Sequence, residues 1–121
     1  MKKISTYFNE ENFTCPCCGK FKVAPGFLIS LDLAREIAGV PFVINSGYRC
    51  EAHNSKVGGE ADSAHVKACA VDIVVESGWH RWKIHEGLRL AEFVRIGHGK
   101  NFIHADLDPN KVQNVMWWYN H

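Results

Sequence analysis

The chain has 121 residues, 46% of them hydrophobic and 22% charged, enough to bury a core without help from disulfides or metals. Fourteen Lys and Arg nearly balance thirteen Asp and Glu, and no basic stripe interleaves with aromatics, so nucleic acid is not the expected partner. Nothing approaches the ~20 consecutive apolar residues that cross a bilayer, and "MKKISTYFNEENF" lacks the apolar run of a secretory signal.

Neither repeat nor linker interrupts the sequence, which predicts one domain over residues 1–121. Near the start, "CPCCGK" (Cys15 to Lys20) looks like half of a zinc knuckle, but Cys50 and Cys69 are not spaced as a second ligand pair. Five cysteines are an odd number for a disulfide framework. Free buried thiols are the reading adopted; a bridge from Cys15 or Cys18 to Cys50 and a structural zinc stay open. A redox role for "CPCC" is disfavoured because no βαβ pattern surrounds it.

Residues 26–38 carry Phe27, Leu28, Leu31, Ala34 and Ile37 at helical spacing, between Pro25 and Gly39. "PFVIN" reads as a short buried strand, "CEAHNSKV" as a short helix closed by Gly58-Gly59, and "ACAVDIVV" (68–75) as a strand. Residues 77–93 read as a Ser-capped helix weakened by Gly87, with Trp79 and Trp82 in the core. "VRIGHG", "NFIHADL" and "VQNVMWWY" follow as strands, the last putting Trp117 and Tyr119 on one face and Trp118 on the other. The sum is an α+β fold with a mainly antiparallel sheet. His80, His85 and His121 show no visible partner, and one of the terminal aromatics can line a groove.

Alternation along "FIHADL" places Phe102, His104 and Asp106 on one face. In "ACAVDIVV", Asp72 shares its face with Ala68, Ala70 and Val74, and His65 stands at the exit of the "GGEADSAH" loop. An Asp among apolar strand residues is costly unless paired or metal-bound, and two imidazoles with one carboxylate suit a catalytic Zn²⁺. Taken singly each residue has an ordinary explanation: a satisfied core His, or an Asp72 that caps a turn or pairs with Arg49.

"SGYRCEAHNSKVGG", "SAHVKACAVDI" and "FIHADL", in this order and at these spacings, closely resemble the zinc D-Ala-D-Ala carboxypeptidase family of cell-wall metallopeptidases, in its Streptomyces-type branch. That family belongs to a wider group with the lysostaphin-type peptidases and the hedgehog signalling domain. The resemblance covers most of residues 8–107. It implies the hedgehog/D-Ala-D-Ala-peptidase-like fold, zinc on His65, Asp72 and His104, Arg49 on the scissile carbonyl or the substrate carboxylate, and Ser63 beside the ligands. His53-Asn54 and Gly58-Gly59 would then scaffold the loop that delivers His65. The implied substrate is the peptidoglycan stem peptide, met by a monomer with neither nucleic acid nor membrane as partner.

Three departures stand out. The family's Gly is Ala68 here, and its H-V-D is "HAD". Where relatives carry a general base before the last zinc ligand, this chain has Asn101 and Phe102. Two candidates replace it: His98, taken as the proton shuttle, and Asp106, which can accept a proton but is preferred as the group orienting a zinc-bound imidazole. A small chain made in the cytoplasm, with no leader or wall-binding module in view, suggests a phage or prophage lysis enzyme released onto the wall. The rival expectation is a catalytically idle zinc domain that binds stem peptides or a protein partner.

Overall fold

In the computed structural model, which describes residues 2–120, Pro25 opens helix α1 (Pro25–Ala38) at a position where its missing N–H costs nothing. Gly39 closes it at φ 69°, its N–H bonded to the Arg35 carbonyl. Phe27, Leu31, Ala34 and Ala38 form its buried stripe. Helix α2 (Glu51–Lys56) is a short turn capped by Cys50, whose Sγ accepts the His53 N–H. In α3 (Gly78–Leu90), Ser77 accepts the His80 N–H as N-cap. This helix stops at Leu90 rather than Phe93 because Glu92 turns to φ 69° and sends Phe93 into the core.

Among the described residues one five-stranded sheet forms from β1 (Ile44–Ser46), β2 (Ala70–Val74), β3 (Arg95–His98), β4 (Phe102–Asp106) and β5 (Val115–Trp118), in the order β1-β2-β4-β3-β5. The β1-β2, β2-β4 and β4-β3 pairs are antiparallel, and β3-β5 is parallel. The expected α+β class with a mainly antiparallel sheet therefore holds. One sheet face carries Val71, Ile73, Ile96, Ile103 and Ala105 into the core beneath α1 and α3. The opposite face carries Asp72, His104 and Asp106. No helix among the described residues is long and apolar enough to cross a membrane.

Three expectations need correction. Strand β1 begins at Ile44, not Pro41, and it is a bulged edge strand with Val43 exposed, not a buried one. Trp79 and Trp82 are exposed, because the buried stripe of α3 runs through His80, Ile84, Gly87 and Leu88 and leaves 79 and 82 outside it. His80 has partners: its Nε2 donates to the Pro41 carbonyl at 3.0 Å and its Nδ1 accepts the Glu76 N–H at 3.2 Å. His121 lies outside the described residues.

Gly87 does more than weaken its helix. A Cβ there would stand 2.4 Å from the Ala34 carbonyl oxygen and 2.7 Å from the Ala38 Cβ, so α1 and α3 cross at this point. Gly87→Ala is therefore expected to destabilise the chain by about 1–3 kcal/mol through overpacking, where an exposed helical Gly would gain ~1 kcal/mol from the same change. Denaturant titration of the two chains reads the sign directly.

Candidate metal centre

Asp72 and His104 are register partners across β2 and β4, which aims their side chains at the same space on the open face. His104 Nδ1 lies 3.0 Å from Asp72 Oδ1. His65 comes from the turn before β2 and puts its Nε2 3.3 Å from the same oxygen. Asn54 and Gly59 brace the loop that leads to His65. The Asn54 amide donates to the Glu60 carbonyl at 2.7 Å, and Gly59 packs so closely on Asn54 that a Cβ would meet Oδ1 at 2.1 Å. Ser63 Oγ accepts the His65 N–H, and the Arg49 N–H donates to the His65 carbonyl.

Hydrogen bonds settle which imidazole nitrogens face the centre. His65 Nδ1 lies 2.8 Å from the Gly47 carbonyl, which can only accept, so Nδ1 carries the proton and Nε2 a lone pair. That Nε2 is buried without a hydrogen-bond partner. His104 Nε2 lies 2.7 Å from Asp106 Oδ2, leaving Nδ1 to face Asp72. Two imidazole nitrogens and a carboxylate thus converge, with one ligand atom from each residue within 4.8 Å of the others. Three electron-rich groups held together in a buried site call for a cation.

The electrostatics agree. Burial opposes charge on Asp72, yet the His104 and His65 imidazoles beside it hold its carboxyl well below the usual carboxylate range. Burial opposes the His104 imidazolium, yet the Asp106 and Asp72 carboxylates raise its pKa. A proton on His104 does in part what a metal would do there, and a bound metal would displace it. Neutral imidazoles with a carboxylate are ordinary zinc donors, and the orphaned His65 Nε2 fits that use.

Asp106 is fully engaged. Besides His104, its carboxylate accepts from Arg95 Nε at 2.8 Å and from the Asp108 N–H at 3.0 Å. Arg95 also donates to the Val112 carbonyl and lies over Trp117. With all these donors on it, Asp106 orients His104 and is not free to accept a proton.

His98 does not reach the site. It pairs with Ile103, so it points through the sheet to the helix side, while its neighbour Gly97 pairs with His104. There Arg81 Nη1 donates to His98 Nδ1 at 2.9 Å and Trp118 stacks on the ring at 4.4 Å. The expected proton shuttle is a packed structural residue. Burial, followed by the nearby Arg81 and His85, lowers its pKa to about 4 from 6.5. Between those values the unfolded chain takes up a proton that the folded chain refuses, so stability falls as pH falls through this window. His98→Phe is expected to flatten that decline, measured as unfolding free energy against pH.

The ligand set opens into a cleft of about 480 Å³, lined among others by Arg49, Ser63, Glu60, Lys111, Trp117 and Tyr119. Arg49 is half-buried with its Nε unpartnered, and burial lowers its pKa while Asp72 and Tyr119 raise it. Among the described residues no ion pair joins it to Asp72, so the carboxylate turns to the imidazoles instead. Both Trp117 and Tyr119 line the cleft, where one aromatic was expected, and they approach because residue 97 is Gly: a Cβ there would lie 2.5 Å from Trp117 Nε1. Glu60, which sequence reasoning passed over, belongs to the "GGEADS" turn and not to the neighbourhood of His104 where a base was sought.

An α+β sheet that carries a His-Asp-His donor set at the base of an open cleft has the form of a metal centre that a substrate can reach. Residues 6–106 match the family described as Peptidase M15, and the chain belongs to that family of zinc-dependent peptidases. No curated protein matches the chain.

Proposed function

We propose that the chain is a zinc metallopeptidase that hydrolyses peptide bonds of the peptidoglycan stem peptide, as a D-Ala-D-Ala carboxypeptidase or endopeptidase of the Streptomyces-type branch. The observation that carries this reading is the convergence of His65 Nε2, Asp72 and His104 Nδ1, with one ligand atom from each within 4.8 Å of the others. Zinc held by these three residues would supply the Lewis acidity that acidifies water and polarises a scissile carbonyl. Arg49, which lines the cleft, would meet a carbonyl oxygen as it gains charge or a substrate carboxylate. Asp106 keeps His104 in the tautomer that frees Nδ1. With His98 behind the sheet and Asp106 engaged, Glu60 is the remaining carboxylate on the cleft wall and the candidate proton acceptor.

In this reading the chain is a single zinc peptidase domain that works as a monomer on the wall after synthesis in the cytoplasm, as a phage or prophage endolysin does. Neither nucleic acid nor membrane is its partner. Digestion of purified muropeptides tests this: new amino groups and shortened stem peptides are expected by mass spectrometry, and intact muropeptides after prolonged incubation with the zinc-loaded chain would contradict it. One observation favours a second reading. Among the described residues no carboxylate other than the ligand Asp72 and the engaged Asp106 stands in the strands beside the donor set, as an idle zinc domain that only binds stem peptides would have it. Binding without turnover in the same assay identifies that case.

A further inference from the structure

A second cluster of metal donors forms away from the His-Asp-His centre and shares no residue with it. The Sγ atoms of Cys15, Cys18 and Cys50 all lie within 4.8 Å of one another, and Cys15 Sγ is 3.6 Å from Cys50 Sγ. A tetrahedron of zinc–sulfur bonds of about 2.3 Å has edges of about 3.8 Å, so the thiols already stand at ligand separation. "CPCCGK" forms the matching turn. Cys15 N–H donates to the Lys20 carbonyl and Gly19 N–H to the Cys15 carbonyl, each at 2.9 Å, with Gly19 at φ 73° where other residues are strained. Backbone donors face the sulfurs: the Cys50 N–H points at Cys15 Sγ and the His53 N–H at Cys50 Sγ, both at 3.4 Å.

We propose that Cys15, Cys18 and Cys50 bind a structural zinc ion as thiolates, separate from the peptidase centre. Three thiolates would leave the fourth position of a tetrahedral ion to a water. Zinc binding would release the thiol protons to solvent, with no change of oxidation state. The ion would staple the N-terminal turn to the N-cap of α2, one residue after Arg49, and so fix the backbone of that cleft arginine.

The test is metal content, which does not depend on peptidase activity. The full chain purified under reducing conditions is expected to hold two zinc ions, His104→Ala one, and His104→Ala combined with Cys50→Ser none. Cobalt exchange into the unaltered chain is the second measurement, since thiolate ligation adds a sulfur-to-cobalt charge-transfer band that a His-Asp-His site lacks. Loss of that band in Cys18→Ser supports the site. A His104→Ala chain without zinc, a cobalt spectrum without the band, or a Cys15–Cys50 disulfide in the isolated chain would overturn it.

Discussion

Exchange of His104 for Ala is expected to cut peptide hydrolysis by at least about a thousandfold. His104 provides one of three donors, and metal polarisation contributes several kcal/mol to such a reaction, with every 1.36 kcal/mol a factor of ten. The effect should appear in kcat more than in KM, because Arg49 and the aromatic wall of the cleft stay in place. His104 occupies the gap between Asp72 and Asp106, and a small residue there leaves the two acids facing each other unmediated. A circular dichroism spectrum therefore accompanies the assay, and near-normal turnover in a folded His104→Ala chain would contradict the assigned role.

Replacing Asp106 by Ala acts on stability as well as chemistry. Arg95 is buried at 9% exposure and its charge is met by this carboxylate. Breaking such a pair from one side costs about 3–5 kcal/mol. Asp106→Asn separates the two effects. Its amide oxygen can still accept from Arg95 and the Asp108 N–H, but its NH₂ cannot accept the His104 Nε2 proton. The Asn chain is expected to stay near normal stability while losing about 10–100-fold in zinc affinity. Urea unfolding with zinc competition titration measures both, and equal losses in stability for Ala and Asn would contradict this division of labour.

Much of this arrangement was legible in the primary structure, because strand alternation is a two-residue rule. It put His104 with Asp106 and Asp72 with the small Ala70, and the register of β2 on β4 then set Asp72 against His104. His98 was misplaced for the same reason in reverse. Nothing in "RIGH" says whether position 97 or 98 faces its partner's histidine, and the pairing that decides it is non-local. Trp79 and Trp82 misled because α3 bears apolar residues on two faces and only contact with α1 selects one. Ala68 shows what sequence hides at the backbone level. It adopts φ 61°, the reason a Gly stands at that position in the resembling pattern. The approach of Cys50 to "CPCCGK" joins residues 35 apart and follows from the packing of Tyr48 and Ala68 against Cys15.

Anomalous diffraction at the zinc absorption edge, from crystals of the zinc-loaded chain, is the most direct measurement of the central claim. The account predicts a peak bounded by His65 Nε2, the Asp72 carboxylate and His104 Nδ1, with Asp106 still on His104 Nε2. Zinc-replete crystals with no peak among those three side chains would contradict it.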